Sequence, residues 1–262
     1  MTYDVAIAGL GGIGSAIAAH CAMRRATVIG LEQFGPAHDR GSSHGKSRMI
    51  RQAYFEDAAY VALVLRSYEL WRELEQKSDE ELLRITGVLS VGPEESEIIS
   101  GTKRSAAEHA LQLEALSQGQ VQERYPSLQL LPDEVALFEP EGGVLDPERA
   151  VAAHLRVAQK AGAHLRFQVS LRSWNVSESG VAIQLADGER VWARTLILSL
   201  GPWFAKTMEA LGVPLRIQRN VQAWFSPSVV SYKAGEYPAF LLDRAGLQIG
   251  RASCRERVCE LV

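Results

Sequence analysis

The sequence contains few cysteines and lacks several features that would assign it to a broad class. Its three cysteines, Cys21, Cys254 and Cys259, have the spacing of neither a metal site nor a disulfide framework. Its net charge is −3, and no Lys- or Arg-rich stripe with interleaved aromatic residues precedes the C-terminal end, which argues against nucleic-acid binding. No stretch approaches the roughly 20 apolar residues of a membrane span, and the N-terminus lacks the basic region of a secretory signal. These absences favour a cytoplasmic protein with no membrane or nucleic-acid partner and no bound metal.

The order of apolar segments predicts an α/β fold. Hydrophobic residues make up 47% of the chain, enough to build one large or two smaller domains. Residues 3–8 and 27–31 are short apolar runs, as in strands of a buried parallel sheet, and residues 15–24 between them form an Ala-rich helical segment. Further segments predict helices over 58–76, 103–117 and 147–161, and strands over 87–92, 135–138, 181–186, 189–193 and 196–199.

A glycine-rich loop follows the first predicted strand. Gly9, Gly11 and Gly14 form a G-x-G-x-x-G pattern with Gly12 inside it, between a strand and a helix. The first glycine permits a tight turn, the second lets the backbone approach a pyrophosphate, and the third lets helix and strand pack closely. Glu32 ends the second strand, where a carboxylate can accept ribose hydroxyls and disfavours a 2′-phosphate. This combination predicts a dinucleotide site but does not separate NAD from FAD.

The loop after the second strand carries one histidine and two arginines among small residues. Arg48 and Arg51 are three positions apart, so a helical turn would place both guanidinium groups on one side, near His44 in the sequence. Such a pair can bind a carboxylate and can stabilise negative charge on a reduced flavin. The alternative interpretation is a solvated basic loop.

Residues 41–54 identify a family. This segment, GSSHGKSRMIRQAY, resembles the G-S-x-H-G-x-x-R-x-I-R-x-A-Y motif of the monomeric sarcosine oxidase and N-methyltryptophan oxidase family of FAD-dependent amine oxidases. The similarity extends from residue 1 to about residue 249, through RSYELW, TGVL, FEP, GGVL and LILSLGPW in the family's order. Lys46 departs from the acidic residue that is common at its position.

The resemblance implies FAD as the cofactor and a set of site residues. It implies that Arg51 contacts the substrate carboxylate and that His44 and Arg48 lie over one face of the flavin. The cofactor-binding residues that we predict are Gly9, Gly11, Gly12, Gly14, Glu32, Ser42, Val169 and Gly201.

The implied activity is oxidation of an N-methyl amino acid, such as sarcosine or N-methyltryptophan, to an imine that hydrolyses to an aldehyde and an amine. Oxygen accepts the electrons and leaves as hydrogen peroxide, while the protein contributes positioning and electrostatics. The alternatives are an NAD-dependent dehydrogenase and a non-catalytic dinucleotide-binding module. We expect a small-molecule substrate, O2 as the second partner and a monomer when complete.

We expect a Rossmann-like FAD-binding domain, residues 1–85 and 141–211, interleaved with an incomplete α+β substrate domain, residues 86–140 and 212–249. From about residue 250 the sequence turns basic and non-periodic, and we predict that residues 250–262 are not native sequence. In the family, the region that would follow carries the flavin-linked cysteine and the lysine for oxygen activation. We therefore expect this chain alone to bind FAD weakly and to turn over little or not at all.

The remaining candidates are interpreted as structural. His38 and His154 are predicted to have no ligand role, and Trp71 and Trp203 to be packing residues. Asp146, directly before a proline, is predicted to cap a helix.

Overall fold

The structure is a computed structural model of the chain, and it describes residues 2–205, 212–213, 215–218, 223–225, 237–244, 247–250 and 259–261. In chain order its elements are β1 (Thr2–Ala8), α1 (Gly12–Met23), β2 (Val28–Leu31), β3 (Arg48–Ile50), α2 (Tyr60–Ser78), β4 (Leu83–Ile85), β5 (Val88–Pro93), α3 (Glu97–Glu108), β6 (Glu114–Leu116), α4 (Gln118–Arg124), β7 (Glu134–Glu139), β8 (Gly143–Leu145), α5 (Pro147–Lys160), β9 (His164–Arg166), β10 (Leu171–Ser177), β11 (Gly180–Leu185), β12 (Arg190–Leu198), β13 (Ala223–Phe225), β14 (Ala239–Arg244), β15 (Leu247–Gly250) and β16 (Cys259–Leu261).

The chain divides into two compact units. The first comprises residues 1–46, 74–82 and 146–219, and the second comprises residues 47–73, 83–145 and 220–262. Most of the predicted non-native tail, residues 251–258 and 262, lies outside the described residues.

The first unit is built on a six-stranded sheet of order β10-β11-β12-β1-β2-β9. Strand β1 pairs in parallel with both β2 and β12, and β9 pairs in parallel with β2. The antiparallel hairpin of β10 and β11 extends the sheet beyond β12. Apolar side chains of these strands form the core, among them Ala6, Ile29, Ile183 and Leu185. The α/β class with a parallel sheet is confirmed.

Two helices of the first unit pack against each other. Helix α1 buries small residues, including Ala18 and Ala19, and it contacts α5. Helix α5 begins as predicted: the Asp146 side chain accepts a hydrogen bond from the Arg149 amide at 3.1 Å, and Pro147 occupies the first turn. Because small side chains line α1, the two helix axes can approach closely, which fixes α1 behind the glycine-rich loop.

Among the residues that the structure describes, the second unit contains three sheets. A five-stranded sheet has the order β15-β14-β5-β7-β6, a three-stranded sheet has the order β3-β8-β4, and β13 pairs with β16. Leu89 and Val91 of β5 are fully buried in the main core, which also contains Leu116, Ala136 and Phe240.

One sequence prediction of secondary structure was wrong in this unit. Residues 103–117 were predicted as one helix, but α3 begins six residues earlier and the segment ends in strand β6. The cause is capping: Ser96 accepts a hydrogen bond from the Ile99 amide and starts α3, while Ser117 forms a capping box with Gln120 and starts α4. Within the described ranges, no helix has the length and apolar character needed to cross a membrane.

Candidate dinucleotide site

The glycine-rich loop connects β1 to α1 in the first unit. Gly9 has φ +90°, in the left-handed region that glycine tolerates, and a Cβ here would overlap the carbonyl oxygen of Ser199. A Cβ on Gly14 would overlap the carbonyl oxygen of Gly9, so the third glycine is required where the helix approaches the loop. Gly11 is the N-cap residue and provides no side-chain cap. The first turn of α1 therefore presents backbone N–H groups to the space in front of it.

Glu32 lies directly after β2 and is almost fully buried. Its Oε2 accepts a hydrogen bond from the Leu10 amide at 2.8 Å, and its Oε1 accepts one from the Phe34 amide at 3.0 Å. These two bonds fix the carboxylate beside the glycine-rich loop. Since a carboxylate has about four acceptor positions, Glu32 can accept further hydrogen bonds from a ligand.

A cavity of about 740 Å³ opens in front of the loop, entirely within the first unit. Its size is that of a cofactor pocket. Seven of the eight predicted cofactor-binding residues line it: Gly9, Gly11, Gly12, Glu32, Ser42, Val169 and Gly201. Gly14 lies behind the loop, where it permits helix packing. The structure thus brings together residues that are as far apart in the sequence as Gly9 and Gly201.

The loop between β2 and residue 46 folds back over the start of α1. The Ser43 hydroxyl accepts a hydrogen bond from the Gly12 amide at 3.0 Å. The Glu148 carboxylate accepts hydrogen bonds from the Gly45 and Lys46 amides at 2.9 and 3.1 Å. His44, one of the predicted catalytic residues, forms a hydrogen bond through Nδ1 with the carbonyl of Gly41. The segment around His44 is therefore attached to the start of α1 through the Ser43 hydroxyl and to α5 through the Glu148 carboxylate.

An aromatic cluster that was not predicted from the sequence lies at the cavity, with His38 and Trp203 lining it and Phe34 packed against both. The Phe34 ring lies 4.7 Å from the His38 ring and 5.3 Å from the Trp203 ring, measured between centroids. Trp203, which was interpreted as a packing residue, packs against the Phe34 ring, and it also lines the cavity with 40% of its surface exposed. His38, which was predicted to have no ligand role, also lines it. This cluster could not be predicted from the sequence, because an irregular loop without hydrophobic periodicity does not indicate which side chains come into contact.

In the second unit, Arg48 and Arg51 do not share a helical turn. Arg48 lies in β3, where it pairs with Leu145 of β8, and Arg51 follows the strand. The spacing argument for a common helix face is therefore wrong, since three positions in extended backbone do not place two side chains on one side. His44 belongs to the first unit and the two arginines to the second.

The Arg51 guanidinium is largely buried among aromatic and acidic groups. Its centre lies 4.5 Å from the Tyr54 ring centroid and 4.3 Å from that of Phe55. One Nη donates to both carboxylate oxygens of Glu56, at 2.7 and 2.6 Å, and the Glu56 side chain is 46% exposed. A buried, fixed cation whose carboxylate partner is half exposed is suited to bind a second carboxylate.

A buried carboxylate holds the backbone that follows Arg51. Glu139, on β7, accepts hydrogen bonds from the Gln52 and Ala53 amides, the latter at 3.1 Å. Burial raises the pKa of Glu139, while the two amide hydrogen bonds oppose that rise. Nearby, the Tyr68 hydroxyl donates to the carbonyl of Glu141 at 2.9 Å, and burial raises the pKa of Tyr68. This support for residues 51–53 could not be predicted, because Glu139 lies far from them along the chain.

Comparisons with known proteins agree with this arrangement. The family model described as FAD dependent oxidoreductase (DAO) matches residues 4–250. The monomeric sarcosine oxidase of Streptomyces avermitilis is 42% identical over 251 residues, which cover 95% of this chain and 65% of that protein. The N-methyl-L-tryptophan oxidase of Yersinia pestis is 30% identical over 243 residues, which cover 93% of this chain and 65% of that protein. The chain thus spans just under two thirds of the length of these relatives.

Solved structures show the same fold. The open form of NikD, an unusual amino acid oxidase essential for nikkomycin biosynthesis, superimposes with a TM-score of 0.82 at 23% identity, covering 99% of this chain and 69% of that one. Glycine oxidase of Geobacillus kaustophilus gives a TM-score of 0.79 at 21% identity, covering 99% of this chain and 70% of that one. The family match also resolves the choice of dinucleotide that the glycine pattern left open, in favour of FAD. The chain belongs to the FAD dependent oxidoreductase family.

Proposed function

We propose that the whole protein oxidises N-methyl amino acids with FAD and O2, releasing hydrogen peroxide. In the overall reaction, an N-methyl amino acid, O2 and water give the amino acid, formaldehyde and hydrogen peroxide. FAD, when bound, accepts the two electrons and the hydrogen of the C–H bond beside the nitrogen and transfers them to O2. The observation that carries the proposal is the convergence of seven predicted cofactor residues on one cavity of a chain in this family.

The residues around the cavity fit the two ends of the adenosine diphosphate part of FAD. Amide groups in the first turn of α1 would donate to the pyrophosphate, and the helix dipole would favour its negative charge. Glu32 would accept hydrogen bonds from ribose hydroxyls. The backbone at Val169 and Gly201 would lie along the cofactor, since both residues line the same cavity.

The second unit would supply the site for the substrate carboxylate. Arg51 is the residue that we assign to this contact, because its guanidinium is buried, charged and held in one orientation by two rings and Glu56. A substrate carboxylate would share or replace the Glu56 carboxylate. We assign His44 and Arg48 to the flavin face, where positive charge favours the reduced, anionic ring.

Within the wider class of secondary-amine amino acids, of which N-methyl amino acids are the members we favour, four substrates stay open: sarcosine, N-methyltryptophan, pipecolate and fructosyl amino acids. The relatives named above are sarcosine and N-methyltryptophan oxidases, which favours the first two. We further propose a monomer in the cytoplasm, with no nucleic-acid or membrane partner.

The test is peroxide formation by the whole protein, measured with a peroxidase-coupled assay on each N-methyl amino acid. Arg51→Gln should raise KM for an N-methyl amino acid by about 10- to 100-fold, as expected for loss of a charge-assisted hydrogen bond. The same variant should leave the low activity on an N-methyl amine without a carboxylate unchanged. Arg104→Gln, an exposed arginine on α3 of the same unit, is the matched control.

Two results would refute the proposal. If flavin-loaded whole protein releases no peroxide with any secondary amine, the activity is wrong. If Arg51→Gln weakens both kinds of substrate equally, the assignment of the carboxylate contact is wrong while the activity stands.

A further inference from the structure

The tautomer of His38 is set by its backbone surroundings. The Arg40 amide donates a hydrogen bond to Nδ1 of His38 at 3.1 Å. Because a nitrogen that accepts a hydrogen bond carries no proton, the ring proton of the neutral side chain lies on Nε2. His38 is therefore a hydrogen-bond donor through Nε2, in a known direction.

Nε2 of His38 lies beside the Glu32 carboxylate without a hydrogen bond to it. Nε2 lies 3.4 Å from Oε1 of Glu32, beyond the usual range of about 2.7–3.2 Å for an N–H···O hydrogen bond. Oε1 already accepts the Phe34 amide at 3.0 Å. The Nε2–H donor of His38 and the Oε1 acceptor of Glu32 thus lie side by side at the cavity wall. Nε2–H can donate one hydrogen bond to a ligand, and Oε1 can accept one more.

The His38 ring is held in place by its neighbours. The Phe34 ring meets it edge-on at 4.7 Å, and the Trp203 ring lies at 6.5 Å, also edge-on. The His38 side chain is 16% exposed, and that exposure faces the cavity it lines. The orientation of Nε2 is thus set before any ligand arrives, which reduces the entropy lost on binding.

We propose that His38 adds a donor to the Glu32 contact described above, with Nε2–H of His38 donated to an oxygen of the ribose diol of FAD whose hydroxyl protons are donated to Glu32. A hydroxyl group is both donor and acceptor, so one ribose hydroxyl satisfies both side chains at once. This inference rests on the proposed binding of FAD in the cavity.

The test compares two nucleotides by calorimetry on the full chain: ADP and the ADP analogue that lacks both ribose hydroxyls. Wild-type protein should bind ADP more tightly than the analogue. His38→Phe retains an aromatic ring against Phe34 and Trp203 but has no donor, and it should weaken ADP binding by about three- to tenfold, the usual cost of one hydrogen bond. Its affinity for the analogue should change less than about twofold. His38→Gln, which keeps an N–H donor, should recover part of the preference.

Control variants distinguish a hydrogen-bonding role of His38 from a packing role and from no role in binding. His109→Phe, at an exposed position of the second unit, should change neither affinity. If His38→Phe does not fold, His38→Ala is used in the same comparison. A variant that weakens both nucleotides equally would indicate a packing role, and unchanged ADP binding would indicate no role, so either result overturns the inference. If wild-type protein binds neither ADP nor FAD, the proposed cofactor site fails and the inference fails with it.

Discussion

Acid should destabilise the first unit through one buried histidine. His154 lies on α5, is 7% exposed, and its ring centroid is 6.4 Å from that of His20 on α1. Burial, together with repulsion from His20, lowers the pKa of His154 from 6.5 to about 4. That His154 has no ligand role stays a prediction, but its burial makes the stability of the fold depend on its protonation.

The sign and size of the effect follow from linkage. The unfolded chain takes up the proton near pH 6.5, whereas the folded state resists it until about pH 4, so stability is complete above pH 6.5 and is lost as the pH falls toward 4. The loss is about 2 kcal/mol at about pH 5 and reaches about 3 kcal/mol once the titration is complete. Helix α1 follows the glycine-rich loop and packs on α5, which carries His154. Protonation of His154 should therefore also weaken the retention of FAD.

The assay is urea unfolding at about pH 8 and about pH 5, on wild-type protein and on His154→Gln. The substitution removes the titrating group, so the fall in unfolding free energy between the two pH values should be smaller in the variant by about 2 kcal/mol. His109→Gln, which removes an exposed histidine, should behave like wild-type protein. An identical pH dependence in His154→Gln and wild-type protein would refute the reasoning.

Three further substitutions test other parts of the structure. Gly14→Ala should lower the free energy of unfolding by about 1–3 kcal/mol and weaken FAD binding, because the added Cβ would overlap the Gly9 carbonyl. Gly35→Ala, whose Cβ would meet no atom within 4 Å, should change neither quantity. Equal effects of the two variants in calorimetry would contradict this prediction. Glu139→Gln should lower the free energy of unfolding in urea by about 1–3 kcal/mol, because a glutamine side chain has one oxygen and cannot accept the Gln52 and Ala53 N–H groups on two oxygens. An unchanged free energy of unfolding would show that Glu139 does not stabilise the backbone after Arg51. Asp146→Ala should lower the free energy of unfolding by about 1 kcal/mol, and Asp146→Asn should lower it by much less, because Asn can also cap a helix. An unchanged free energy of unfolding in Asp146→Ala would show that the cap is dispensable.

The sequence predicted most of the first unit because its signals are local. The glycine pattern, the flanking apolar runs and Glu32 lie within one βαβ stretch, and each follows from backbone geometry at that position. The Asp146 cap could be predicted for the same reason. The helix predicted over 103–117 was wrong because two serine caps, Ser96 and Ser117, set the helix starts elsewhere. A serine directly before a helical segment is a recognisable start signal, since its side chain accepts from the amide three residues further on.

The contacts that refine the site could not be predicted from the sequence alone. The His38–Glu32 pair depends on the path of an irregular loop, and Glu139 reaches the Arg51 loop across a large sequence separation. Arg48 lies in a short strand whose partner, β8, begins at residue 143, so no local pattern indicated extended backbone there. The assignment of the two domains to cofactor and substrate stays a prediction.

The most direct measurement is an absorbance spectrum of the purified chain after incubation with FAD and gel filtration. If the cavity of the first unit binds FAD, a flavin band in the near ultraviolet and blue should elute with the protein. A folded sample that retains no flavin on the column, and that also fails to quench FAD fluorescence at equilibrium, would contradict the assignment of the site.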